Sequence, residues 1–267
     1  MPGDRNEPRL RKSLGQHHLR HPELCRPAVT FLQLQGHRVF EIGPGGGVLT
    51  AELLAAGGRV VGWELDLAWA FALRRRVPST SVSLVAGDAL DLPWEALRER
   101  DLVAGNLPYG VATVIVADFL TRALASPRAV FLVQDEVADR LVASPGSPSY
   151  GLMSVLVEAW SRATVLCRLK PGSFRPVPKV GGAFVGLLRR TPPLPIAEMK
   201  TFRDTLAAAF RQRRKTLANS LRSAWGRERA ETVLAESGLD GARRAQSLHL
   251  EDFARLHQAF VALGGDA

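Results

Sequence analysis

At 267 residues and 29.0 kDa the chain is long enough for one large domain or a domain with an appendage, and its 46% hydrophobic and 23% charged residues exclude a collagen-like, disordered or disulfide-scaffold protein. Lys and Arg number 35 against 26 Asp and Glu, a net charge of +9, with only five Lys among the cations; an Arg-rich excess of this size favours a polyanionic partner, nucleic acid first. No stretch approaches the ~18 apolar residues of a membrane span, residues 1–12 lack the apolar core of a signal peptide, and Cys25 and Cys167 read as small core residues in a reducing compartment.

In chain order, apolar β-branched runs alternate with helical spacing. Strands are expected at 38–42, 59–63, 82–85, 101–104 and 129–134. Helices are expected at 50–56, 67–76, 112–124 and 136–142. Such alternation predicts an α/β domain with a mainly parallel sheet. Residues 144–149, Ser-Pro-Gly-Ser-Pro-Ser, are a loop by composition. A helix at 152–160 and strands at 164–169 and 183–188 complete the sheet. Thr191-Pro192-Pro193-Leu194-Pro195 then breaks regular structure and reads as a linker. Residues 198–263 show helical spacing only. The expected organisation is a first domain over 1–190 and a small all-helical domain over 196–267.

After the first of these strands comes Glu41-Ile42-Gly43-Pro44-Gly45-Gly46-Gly47, opening a helix. Glycines there let backbone approach a ligand closely. Glu64 ends the second strand, where a carboxylate can accept the two hydroxyls of a ribose. The dinucleotide fingerprint requires a third glycine where this chain has Val48, and Pro44 intrudes, so a pyrophosphate is disfavoured. The Glu-x-Gly-x-Gly form is instead similar to the first motif of S-adenosylmethionine-dependent methyltransferases. Asp88, after the third strand, is then placed to accept from the adenine amino group. The alternative for this set is an ordinary tight turn, with Asp88 a helix cap.

Asn106-Leu107-Pro108-Tyr109 follows the fourth strand. An adenine exocyclic nitrogen is a poor nucleophile because its lone pair is delocalised into the ring. The Asn106 oxygen and a backbone carbonyl near Leu107 or Pro108 can accept its two N–H groups and draw it toward tetrahedral geometry. Pro108 fixes the turn, and Tyr109 offers a face on which the base stacks. A sulfonium methyl needs neither a metal nor a strong base for its transfer, only orientation and electrostatics.

Around these motifs the chain closely resembles the ribosomal RNA adenine dimethyltransferases, the small-subunit methyltransferase A type. The resemblance is carried by residues 11–19 (Arg-Lys-Ser-Leu-Gly-Gln-His-His-Leu), 134–141 with Tyr150-Gly151, 171–180 (Pro-Gly-Ser-Phe-Arg-Pro-Val-Pro-Lys-Val) and 211–221 (Arg-Gln-Arg-Arg-Lys-Thr-Leu-Ala-Asn-Ser-Leu). It implies a Rossmann-like, seven-stranded class I methyltransferase sheet with one antiparallel strand and a small C-terminal all-helical domain. It implies dimethylation of N6 on two adjacent adenosines in the 3′-terminal hairpin loop of small-subunit rRNA, in a pre-ribosomal particle of the cytoplasm. Carried over by position, the cofactor contacts are His17, Leu19, Gly43, Gly45, Glu64, Asp88 and Asn106, and Phe174 stacks on the target base opposite Tyr109. A core aromatic is the other reading of Phe174. The family usually has Asn or His then Phe at 17 and 18, and an acid then Ser at 181 and 182; here these are His17, His18, Gly181 and Gly182.

His17, His18 and His21 have no Cys to complete a metal set, so no metal is expected. Residues 211–229 carry seven cations and one anion, with Leu206, Phe210, Leu217, Leu221 and Trp225 at helical spacing. We read this as a basic amphipathic helical segment in which Arg211, Arg213, Arg214, Lys215 and Arg222 contact RNA. Nothing demands more than a monomer. Two alternatives stay open: the erythromycin-resistance type acting on large-subunit rRNA, which typically has Ser where this chain has Gly15, and a non-catalytic RNA-binding assembly factor.

Overall fold

The structure is a computed structural model that describes residues 8–11, 15–78, 80–191 and 198–264. The predicted linker therefore falls largely outside the described residues, as do Lys12, Ser13 and Leu14 of the N-terminal motif. In chain order the elements are β1 (His18–Leu19), α1 (Arg26–Leu32), β2 (Arg38–Ile42), α2 (Val48–Ala55), β3 (Arg59–Glu64), α3 (Leu67–Arg74), β4 (Val82–Ala86), β5 (Leu102–Asn106) and α4 (Ala112–Arg122). Then come β6 (Arg128–Gln134), α5 (Asp135–Leu141), α6 (Leu152–Trp160), β7 (Ser161–Leu169), β8 (Phe174–Arg175), β9 (Gly182–Arg189), α7 (Met199–Ala209), α8 (Leu217–Trp225), α9 (Arg227–Ser237) and α10 (Leu250–Ala262).

Among the described residues seven strands form one sheet in the order β4-β3-β2-β5-β6-β9-β7. The pairs β2–β3, β3–β4, β2–β5 and β5–β6 are parallel, and β9 runs antiparallel to β6. This is the class I methyltransferase sheet with its one antiparallel strand. Leu102, Val103 and Ala104 of β5 and Ala129 to Val133 of β6 are all buried, as strands covered on both faces must be. Val39, Ala104, Val130, Leu132 and Phe184 pack with Cys25, Leu32 and Leu34 into the core. The chain winds from β2 out to β4 and returns to β5 on the other side of β2. That reversal opens a crevice at the carboxyl ends of β2 and β5. Gly105 is required there: a Cβ would fall 2.9 Å from the Ile42 carbonyl oxygen.

Arg189 closes β9 by donating to the carbonyls of Phe119, Leu120, Ala123 and Ser126, so a cation caps the C-terminal end of α4. Burial pulls its pKa down to about 10.

The chain divides into two compact units: Met1–Ala138 with Ala163–Arg189, and Asp139–Arg162 with Arg190–Ala267, each through its described residues. Residues 139–162, assigned by sequence to the first domain, thus cluster with the C-terminal helices. The reason is α6, whose side chains are buried nearly all round. Trp160 meets Phe202 edge-on at 5.5 Å, and the Tyr150 hydroxyl donates to the Leu248 carbonyl at 3.0 Å. The basic segment is not a continuous helix. Helix α7 stops at Ala209 and α8 begins at Leu217, capped by the Thr216 hydroxyl, so Arg211, Arg213, Arg214 and Lys215 occupy the turn between them.

Candidate active site

The crevice between β2 and β5 receives the glycine turn. Gly43, Gly45 and Gly47 have φ of 63, 50 and 79 degrees, a run in the left-handed region that L side chains resist. The turn brings Gly45 N to Glu64 Oε2 at 2.9 Å, while Asp66 N donates to Glu64 Oε1 at 2.8 Å. Each carboxylate oxygen therefore takes one backbone N–H and keeps a lone pair for a ligand hydroxyl. Burial raises the Glu64 pKa, and the backbone donors oppose that rise. Beneath the turn Glu41, wholly buried and bonded by the Thr50 hydroxyl at 2.6 Å, is pushed by desolvation up to about 8. Asp88 accepts from Leu90 N at 2.9 Å through one oxygen, so it does cap the short turn that follows β4, with its second oxygen left over.

The register of β2 and β5 sets Ile42 beside Gly105, and so Gly43 beside Asn106. Asn106 Nδ2 donates to the His17 carbonyl at 2.7 Å. That bond fixes the amide orientation, since the flipped form would oppose two oxygens. Asn106 Oδ1 has no donor among the described residues. The Pro108 carbonyl accepts from Val111 N and Ala112 N at 3.2 and 3.1 Å. Of the two carbonyls considered from sequence, that of Leu107 is therefore the one left open. The Tyr109 ring stacks on His17 with centroids 5.2 Å apart and planes at 24 degrees, so a base can use only its other face.

His17 is itself pinned, its Nδ1 2.7 Å from the Pro176 carbonyl, which accepts only if Nδ1 carries the proton. His18, in place of the family's usual aromatic, lies edge-on to Trp69 at 4.5 Å. It packs so closely on the glycine turn that a Cβ at Gly45 would fall 2.7 Å from its Nε2. Desolvation lowers its pKa to about 4, against the pull of Asp66. It is a neutral ring doing an aromatic's packing.

One cavity of about 440 Å³ gathers His17, Gly43, Gly45, Glu64, Asp88 and Asn106 with Leu107, Pro108 and Tyr109. Trp63 also lines it; nothing in the residue pattern singled it out. Among the described residues the lining holds two carboxylates and no Lys or Arg. That acceptor set suits the hydroxyls and amine of a nucleoside without phosphates, so the residues present fit S-adenosylmethionine. Leu19 lies instead in a small neighbouring recess.

Phe174 is a correction. It is 1% exposed and belongs to the core with Leu19 and Cys25. The cause is a two-stranded ribbon unseen in the sequence: β1 pairs with β8, Leu19 opposite Phe174, and turns the ring inward. In this structure it cannot stack on a base.

The proposed RNA contacts separate into two kinds. All five are exposed, and Arg211, Arg214 and Lys215 have no side-chain partner among the described residues. Arg213 instead donates to the carbonyls of Pro148 and Tyr150, and Arg222 pairs with Glu231 at 2.9 Å.

Residues 7–261 match the family described as ribosomal RNA adenine dimethylase. A relative from Geobacter metallireducens, a ribosomal RNA small subunit methyltransferase A, is 38% identical over 96% of this chain and 98% of its own length. The crystal structure of a dimethyladenosine transferase from Plasmodium falciparum shares the fold with a TM-score of 0.78, at 21% identity over 93% of this chain and 98% of that one. That of the 23S rRNA methyltransferase ErmE gives a TM-score of 0.64 at 26% identity, over 95% and 98%.

Proposed function

The chain belongs to the ribosomal RNA adenine dimethylase family, and from that premise we propose that it dimethylates N6 of two adjacent adenosines in the 3′-terminal hairpin loop of small-subunit rRNA. It is an S-adenosylmethionine-dependent rRNA adenine methyltransferase. The observation that carries the reading of its chemistry is the Asn106 amide, locked by the His17 carbonyl with Oδ1 left to accept.

The cofactor, when bound, supplies a methyl already activated by its sulfonium. Glu64 accepts from the ribose hydroxyls and Asp88 from the adenine amine. Asn106 Oδ1 and the Leu107 carbonyl accept the two N–H groups of the target N6, pulling its lone pair out of conjugation and aiming it. The free face of Tyr109 holds the base. These acceptors are in place before substrate arrives, so no reorganisation opposes the reaction. Arg211, Arg214 and Lys215 take phosphates. We place the enzyme in the cytoplasm, as a monomer acting on a pre-ribosomal particle; no helix of the described residues is long and apolar enough to cross a membrane.

The small subunit is favoured over the large because a ribosomal RNA small subunit methyltransferase A matches 96% of this chain at 38% identity. A non-catalytic role is disfavoured because the polar set of the cavity is whole. Mass spectrometry of rRNA from a strain lacking the protein tests the proposal. Loss of dimethyladenosine near the 3′ end of small-subunit rRNA is expected; loss from large-subunit rRNA alone, or none, overturns it.

A further inference from the structure

Trp63 stands in β3 immediately before Glu64, and β3 pairs with β4 so that Trp63 faces Val85 and Glu64 faces Ala86. Beyond that pair the backbone of β4 runs on into Gly87 and Asp88, where the Asp88 carbonyl accepts from Asp91 N at 3.1 Å, and it is fastened to β3 twice. Gly87 N donates to the Glu64 carbonyl at 3.1 Å. The indole Nε1 of Trp63 donates to the Asp88 carbonyl at 2.9 Å. The indole also lies against Gly87, where a Cβ would fall 2.6 Å from Nε1 and 2.7 Å from two ring carbons. Only glycine admits the ring at this distance.

This use of an indole differs from that of its neighbours in sequence. Trp69, Trp94 and Trp160 bury their Nε1 with no partner among the described residues, so they fill space. Trp63 borders the same cavity as Asp88 and spends its one donor on the main chain of that residue. Asp88 stands where regular strand has ended. A carboxylate there holds a ligand well only if its backbone is already placed, because ordering it on binding would subtract from affinity.

We propose that Trp63 is a positioning residue for the adenine end of the cofactor. It sets where the Asp88 carboxylate stands and so how firmly the 6-amino group is held. This rests on the reading that Asp88 accepts from that amine, and the experiment separates the two. Affinity is measured by calorimetry for S-adenosylhomocysteine and for its analogue in which hydrogen replaces the 6-amino group. Trp63→Phe keeps an aromatic plane beside Gly87 and removes the N–H. It should weaken S-adenosylhomocysteine about three- to tenfold, the worth of one hydrogen bond, and leave the deamino analogue within about twofold. In turnover it should raise KM for S-adenosylmethionine more than it lowers kcat. Gly87→Ala, which drives a methyl into the indole, should show the same selectivity and serves if the first variant folds poorly. Equal weakening of both ligands, or of neither, overturns the assignment and makes Trp63 a wall. Asp88→Ala is the control: if it leaves S-adenosylhomocysteine binding unchanged, the Asp88 reading fails first and this inference falls with it.

Discussion

The cofactor crevice and the basic turn after α7 present polar groups in opposite ways. In the crevice Glu64 is buried, bonded twice to backbone, and aimed by a glycine turn. Asn106 is held by a carbonyl from a segment 89 residues away in sequence. In the turn Arg211, Arg214 and Lys215 stand in solvent without a side-chain partner among the described residues. The difference follows from what each region meets. A small nucleoside must be desolvated and matched group by group, and a misplaced buried polar atom is costly. A phosphate backbone is met by long, mobile cations whose gain is release of counterions. Preorganisation therefore serves the first and adds little to the second.

The comparison breaks or sharpens at several places. The largest effect is expected at Phe174, which lies in the same unit as the crevice yet outside it. Phe174→Ala should cost about 3–5 kcal/mol of stability, read by denaturant melts. Wild-type stability with failed RNA turnover would return it to the site. Asn106→Ala should retain RNA affinity and lose about 2.7–4 kcal/mol of transition-state stabilisation, roughly a hundred- to thousandfold in single-turnover rate; a variant within about fivefold of wild type would show that preorganisation at Asn106 is unimportant. Glu64→Gln, which keeps an acceptor for the backbone, should weaken S-adenosylmethionine about tenfold or more, since a charge-assisted hydrogen bond is worth about 1.5–3 kcal/mol; calorimetry decides.

In the basic turn, Gln at Arg211, Arg214 or Lys215 should flatten the slope of log RNA affinity against log salt by about 0.7–0.9 per lost phosphate contact, with cofactor affinity unmoved. Arg213→Gln should lower the melting temperature and leave the slope alone, because its guanidinium already serves Pro148 and Tyr150. A changed slope there would erase the division between the two kinds of arginine.

Two further effects are pH-dependent. Glu41 titrates higher folded than unfolded, so the native state holds the extra proton. Stability therefore falls as pH rises from the ordinary carboxylate range through about 8. His18 titrates lower folded, so stability falls as pH drops from 6.5 toward about 4. The pH profile of melting temperature should flatten between 4.5 and about 8 for Glu41→Gln and between 6.5 and about 4 for His18→Phe. Profiles parallel to wild type would show that these groups titrate normally.

Much of this was legible in the residues. Strand–turn–helix alternation located every strand of the large sheet, and β5, β6 and β9, buried almost throughout, stand out as unbroken apolar runs. The motif residues converged because strand ends in a parallel sheet converge. What was not legible was pairing between distant short segments. Two residues of β1 against two of β8 carry no periodic signal, yet they turn Phe174 inward. The cations after Phe210 matched helical spacing on both sides, and spacing alone does not reveal that α7 stops at Ala209. Trp63 looked like any strand aromatic; its role depends on a carbonyl 25 positions on. Residues 139–162 alternate like their neighbours, and only α6's all-round burial shows the company it keeps.

The ribbon of β1 and β8 bears on the order in which a ribosome releases this chain. The glycine turn and residues 106–109 are complete once β6 has emerged. His17, which orients Asn106, stays unpinned until Pro176 is made, and β6 lacks its antiparallel neighbour until β9 follows. Such non-local pairings form slowly and leave an open edge while they wait. A nascent chain halted after β6 would carry both motifs without the partners that place them.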